Sequence, residues 1–196
     1  KLEVANNNYP NIKRHLDNMS DYITSSNAPY GIHRARKQHY FDNPKLICKG
    51  MFATPEFYLD YNKIYCGFSF SVITQSKKQY SLPMLLAFMN SKLGEYWFKT
   101  FGKKRGIGVD IGVKVFRHFP IPKINFKDAL EKKKVQNIET LVINITEAIS
   151  LLENAKTSSD KDFYQGNVNN LDRKLNTAVY DLYNFNSEEI KVIEKC

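Results

Sequence analysis

Three consecutive cations, Lys103, Lys104 and Arg105, stand between Gly102 and Gly106, and Gly108 follows shortly after. Earlier, His33, Arg34, Arg36, Lys37, Gln38 and His39 fall within seven residues. Guanidinium and ammonium groups reach phosphate oxygens, and Arg and Gln also match the donor and acceptor pattern of guanine and adenine edges. Glycines beside such cations let backbone approach a ligand closely. The chemistry on offer is recognition of an anionic or base-edged surface. In both places the alternative is a basic, solvated loop with no partner.

Residues for bond-breaking are not assembled by spacing. Asp60 and Asp110 have no acidic or nucleophilic partner at an informative distance along the chain. Glu189-Ile190-Lys191 resembles the tail of a nuclease motif, but it lies inside a capped helix rather than on a strand. The histidines His15, His33, His39 and His118 are scattered, without a helical pair for zinc or a nucleophile beside them. Gly106, Gly108 and Gly112 have the wrong order of flanking elements for a dinucleotide loop, and no Gly-Lys-Ser/Thr completes a phosphate-binding P-loop. The sequence therefore predicts a recognition module without catalytic or metal-binding residues.

The charge distribution supports this reading. The formal charge is +9. Residues 33–49 carry a net +4 and residues 99–117 a net +5, so the other residues, with 18 basic and 18 acidic side chains, are neutral. Charge confined to two windows is the footprint expected of a polyanion binder. The candidate contacts are His33, Arg34, Arg36, Lys37, Gln38 and Lys49 in the first window, and Lys103, Lys104, Arg105, Lys114 and Arg117 in the second. No apolar run approaches the roughly 18 residues that would span a bilayer. Cys48, Cys66 and Cys196 fit neither a disulfide framework nor a zinc site, which predicts a reducing, cytoplasmic setting. The chain begins at Lys1 without a Met and reads as a fragment of a longer protein.

Which elements hold these windows follows from periodicity. Ile12, Leu16, Met19 and Ile23 recur at helical steps from Pro10 to about Thr24, and residues 25–31 read as a loop. Lys45–Lys49 is a strand opened by Asn43-Pro44. Phe57–Leu59 and Ile64–Thr74 read as a hairpin about Asp60-Tyr61-Asn62-Lys63. Phe68, Phe70 and Val72 share one face of its second arm and are assigned to the core. Ser81 caps one helix whose stripe includes Leu85, Met89, Leu93 and Trp97 and which ends at Gly102. Alternation of Val109, Ile111, Val113 and Val115 predicts a strand after a flexible cationic loop. Leu130 to Leu152 trace one long helix over 126–155, residues 157–166 break it, and Asn186 with Glu189 forms a capping box for a last short helix. The predicted fold class is α+β: a mixed or antiparallel sheet with packed helices, then a C-terminal helical region with one long helix. The predicted division is a recognition domain, 1–124, and a helical region, 125–196, packing on it.

The order of these elements resembles a known family. The runs PKLI, LLAFMNSKLGEYWFK, KKRG and FPIPKI, with YPNIKRHL before and LNTAVYDLYNFNSEEIKVIE after, are similar to the TaqI-like C-terminal specificity domain. That is the target-recognition domain of adenine-specific DNA methyltransferases and of fused restriction–modification enzymes of type II. The resemblance implies double-stranded DNA as partner and an upstream methyltransferase domain in the same chain. It implies S-adenosylmethionine for the parent enzyme, with magnesium if an endonuclease is fused, and no cofactor in this fragment. It carries over no base-contact residues, because those vary within such families. A monomer without membrane association is expected. Two alternatives remain open: half of a type I restriction specificity subunit, which shares NSKL, the Pro-Ile-Pro exit and a long helix, and an RNA-binding module, which needs Phe68 and Phe70 exposed.

Overall fold

A computed structural model describes residues 5, 7–23, 30, 36–54, 56–75, 77–106 and 108–195. His33, Arg34, most of the expected loop over 25–31 and Cys196 lie outside them. The chain divides into two compact units, residues 1–40 and residues 41–196.

In the first unit, helix α1 (Pro10–Asn18) starts with proline in its first turn, where the missing amide costs nothing. A single 3₁₀ turn, Ser20–Tyr22, follows, so the helix predicted to Thr24 ends earlier. Ile12 and Met19 of its apolar stripe are exposed. Lys13 bonds Asp17 at 2.7 Å, and the Tyr30 hydroxyl donates to the other carboxylate oxygen at 2.6 Å. Helix α2, His39–Asp42, spans the boundary between the units.

The second unit holds two antiparallel sheets. Strand β1 (Lys45–Lys49) lies between β3 (Phe57–Asp60) and β4 (Phe70–Thr74), with Lys45 opposite Asp60 on one side and Thr74 on the other. Because β3 and β4 are both antiparallel to β1, they run parallel to each other and cannot form the expected hairpin. Residues 61–69 instead cross from the Lys45 end of the sheet to the Lys49 end. The crossing segment bounds an open groove of about 750 Å³ with Ile47, Tyr58, Tyr65 and Phe70 among its walls. Phe68 is 69% exposed and Phe70 37% exposed, which overturns the assignment of these rings to the core.

One strand path joins the sheets. After β1 comes Gly50, then β2 (Met51–Phe52), which pairs with β6 (Gly108–Asp110); β6 pairs with β5 (Lys103–Arg105). The Gly50 amide donates to Ser69 O at 2.7 Å, and its carbonyl accepts from Ile111 N at 3.0 Å. A Cβ on Gly50 would stand 3.1 Å from Ser69 O, so a glycine suits this seam.

The expected single helix from Ser81 is two, α3 (Leu82–Asn90) and α4 (Lys92–Phe101). Ser81 caps α3 as read from sequence, accepting from Met84 N at 3.2 Å. The break comes from Ser91, whose hydroxyl donates to Phe88 O at the end of α3 and accepts from Gly94 N at the start of α4. The expected strand through Val115 stops at Asp110, and Val113–Arg117 forms a short helix, α5.

Helices α6 (Ala129–Asn154) and α7 (Ser158–Tyr183) form a long pair, each about 39 Å at 1.5 Å per residue. Asp128 caps α6 and Thr157 caps α7. The break predicted over 157–166 is therefore only three residues long. Its polar composition, with Thr157 capping and Asp160 in the first turn, is that of a helix start. The capping box on α8 (Ser187–Glu194) forms as read. Met84, Phe88, Phe98, Leu46, Ile138 and Val179 meet in one core shared by the sheets and the helical pair. Asn176 Oδ1 accepts from Lys92 N at 2.7 Å, and Tyr183 donates to Pro120 O at 2.8 Å across the same junction. The class is α+β with antiparallel sheets. Among the described residues, no helix is long and apolar enough to cross a membrane.

Candidate nucleic-acid interface

The cationic stretch expected to be a loose loop is a hairpin. Lys103 pairs with Asp110, Lys104 with Val109 and Arg105 with Gly108. Gly106 takes φ +57°, the left-handed region that a residue without Cβ enters at little cost. Composition concealed these strands, because lysine and glycine are poor strand formers. Lys103, Lys104 and Arg105 are all exposed, with Arg105 Nε 3.0 Å from Asp110 Oδ2.

The hairpin is rooted in a phenylalanine cluster. Phe98 on α4 has no exposure and stacks on Phe57 and Phe119, with ring centroids 5.4 and 5.6 Å apart; Phe52 of β2 meets it edge-on. The turn from α4 into β5 is tight, since a Cβ on Gly102 would come within 2.1 Å of Val109 Cγ1 and 2.5 Å of Phe98 O. Burial of these rings contributes on the order of 1.5–3 kcal/mol each, so three cations are carried on a stiff support. Trp97 is half-buried and donates from Nε1 to Val115 O at 3.3 Å, tying α5 to α4.

Other cations of this window have different surroundings. Lys114 and Arg117 are exposed on α5, three residues apart, and thus on one side of a helical turn rather than on a strand. Lys99 is taken up by Glu95, which also pairs with Lys92. Burial pushes the Glu95 carboxyl up, but the hydrogen bonds from Lys92 and Lys99 outweigh it, so its pKa is lowered overall. Lys49, beside Gly50 and hence near the end of β6, is exposed and pairs with Glu56 at 3.0 Å. In the first unit, Lys37 and Gln38 are exposed and Arg36 is half-buried. His33 and Arg34 lie outside the described residues.

Sequence reading missed one polar centre, at the other end of β1. Lys45 and Asp60 are fully buried and paired with each other. Lys45 Nζ also donates to Phe41 O at 2.8 Å. Asp60 accepts from Asn62 N at 2.8 Å and Ile64 N at 2.9 Å, which shapes the turn 61–64. Tyr65 donates to Asp42 at 2.7 Å and stacks on Phe41 with centroids 4.8 Å apart. The available signal was Asp60 at the head of the turn-type run Asp-Tyr-Asn-Lys, since an Asp carboxylate readily accepts from the amide two residues on. Its lysine partner lies fifteen residues away and gave none. Among the described residues, no group of three His, Cys, Asp or Glu side chains could hold a metal ion.

Residues 8–121, more than half of the chain, match the TaqI-like C-terminal specificity domain. The chain belongs to that family. A domain of this kind is non-catalytic and serves DNA target recognition in restriction–modification. The matched segment includes α1, both sheets, the α3–α4 pair, the cationic hairpin and α5, and it ends before the α6–α7 pair. No curated protein matches the chain.

Proposed function

We propose that this specificity domain binds double-stranded DNA sequence-specifically, with the β5–β6 hairpin as its principal phosphate-contacting element. The observation that carries this reading is the exposure of Lys103, Lys104 and Arg105 on a hairpin held by buried phenylalanines, within the family match. Lys49, Lys114 and Arg117 extend the same contact. His33, Arg34, Arg36, Lys37 and Gln38 supply a further one, with Arg and Gln types suited to base edges. The parent is an adenine-specific DNA methyltransferase of type II, with or without a fused endonuclease. It uses S-adenosylmethionine in an upstream domain, needs magnesium if it cleaves, and works in the cytoplasm as a monomer. The specificity domain holds the duplex while that upstream domain acts on a flipped adenine.

The test is the salt dependence of duplex binding. Log affinity should fall linearly with log salt, with a slope of about −0.9 for each phosphate contacted. Replacing Lys103, Lys104 and Arg105 with alanine should flatten that slope by up to about 2.7. A slope unchanged in the triple variant removes the hairpin from the interface. A second reading, RNA binding, is favoured by the exposure of Phe68 and Phe70, since unpaired bases stack on exposed rings. Preference for single-stranded RNA over duplex DNA, abolished by Phe68→Ala, would select it.

A further inference from the structure

The buried Lys45–Asp60 pair has no evident purpose as a source of stability. Taking two charges out of water carries a large desolvation cost, and apolar pairs of similar volume often serve as well. What an apolar pair cannot supply is the set of acceptors for the Asn62 and Ile64 amides and the donor to Phe41 O. Those bonds fix the shape of four surface residues. The turn also holds Lys63 at φ +56°, a left-handed conformation that a side-chain-bearing residue adopts only at a cost. Tyr65 clamps the following residue to α2 through Asp42 and Phe41. A solvated turn with no partner needs none of this.

The side chains so presented are informative. Tyr61, Asn62 and Lys63 are exposed. The Asn amide is the side chain that pairs bidentately with adenine N6 and N7, and a lysine ammonium is a phosphate contact. Backbone strain tends to be stored where a protein must present groups in one geometry.

We propose that the 61–64 turn is a second DNA-reading element: Asn62 contacts a base edge, Lys63 contacts a phosphate, and Lys45 and Asp60 are positioning residues for both. This rests on the duplex-recognition reading. It adds specificity-determining positions outside both basic windows, in a segment whose own charges, Asp60 and Lys63, cancel.

The experiment selects duplexes bound by this chain from a library with a randomised central window, then follows the salt dependence of one bound duplex. Asn62→Ala should relax preference at one or more base pairs by about tenfold and leave the salt slope intact. Lys63→Gly removes the charge and also relieves the backbone; it should lower the slope by about 0.9 and keep the base preferences, and Lys63→Arg should restore the slope. The paired replacement Lys45→Met/Asp60→Leu should keep the far-ultraviolet circular dichroism spectrum and show both losses, as expected when geometry alone is lost. Unchanged preferences in Asn62→Ala together with an unchanged slope in Lys63→Gly would overturn the proposal, even where the Lys103/Lys104/Arg105 alanine variant behaves as expected. If the unaltered chain binds no duplex, the recognition reading falls and this one falls with it.

Discussion

Replacing Lys45 with methionine tests whether the buried pair is as costly to break as its burial implies. In the native chain neither side chain has any exposed surface. Burial pushes the Asp60 carboxyl up, but the Lys45 hydrogen bond and the amides of Asn62 and Ile64 more than compensate, so its pKa is lowered below the ordinary 3.8. Methionine fills the lysine stem's volume and removes the ammonium. A buried carboxylate then remains with two amide donors and no cation. Breaking a buried pair from one side costs about 3–5 kcal/mol. For a chain of this size each kcal/mol lowers Tm by about 2–4 °C, so the expected fall is about 6–20 °C.

The pH dependence gives an internal control. A carboxylate with a depressed folded pKa contributes stability that is complete above the unfolded value and is lost as pH falls through the folded one. In Lys45→Met, loss of the cation leaves burial opposed only by the two amides, so the Asp60 pKa rises relative to the native chain. Acid then neutralises the buried charge while the protein is folded, so the deficit relative to the native chain should be largest near neutrality and shrink as pH drops toward 4. Chemical denaturation at several pH values measures both curves. Lys45→Met/Asp60→Leu should recover most of the loss. A deficit under about 1 kcal/mol at neutral pH that does not vary with pH would refute the argument.

Gly94→Ala should destabilise by about 1–3 kcal/mol in denaturant titrations, because the added Cβ would lie 2.3 Å from Met89 O at the α3–α4 junction. A cost below about 0.5 kcal/mol would mean the junction opens freely. The Cys48 thiol is buried, and burial pushes its pKa up to about 12. In a Cys66→Ser/Cys196→Ser background, a thiol reagent at neutral pH should therefore label Cys48 only at the rate of protein opening, accelerating in denaturant. Prompt labelling of the folded chain would contradict that burial.

Local signals in the sequence read well, and non-local ones did not. The bounds of β1, the Ser81 cap and the Asn186–Glu189 box each depend on residues within five positions, and the structure has each as read. The α3–α4 break was hidden because the apolar stripe runs on across Ser91 with little change of phase, while a serine capping in both directions looks like an ordinary polar residue. Strand partners were the largest error. Phe57–Asp60 and Phe70–Thr74 flank a turn-like sequence, yet both pair with β1 because the intervening segment crosses it. The same crossing exposes Phe68, whose alternation with Phe70 and Val72 suggested a buried face. The cations were legible as charge, but their partners were not: Glu56 lies seven residues from Lys49, and Asp110 meets Arg105 only because the hairpin closes.

Two of the elements proposed to touch DNA, the 61–64 turn and the cationic hairpin, are indexed by a single stretch of chain. Lys45, at one end of β1, fixes the 61–64 turn through Asp60; Met51 and Phe52, at the other end of the path, pair with β6 and so fix the cationic hairpin. From Lys45 to Phe52 an extended chain reaches at most about 23 Å at 3.3 Å per residue. One turn of duplex is about 34–36 Å long. On the proposed reading, the backbone roots of both elements therefore fall within one helical turn, as a short recognition site requires, and their spacing is set by backbone pairing rather than by flexible loops. Gly50 is the point where this path exchanges Ser69 for Ile111 as its partner. On that reading, the base-contacting Asn62 of the turn and the phosphate-contacting cations of the hairpin are held in register by the strand beneath them.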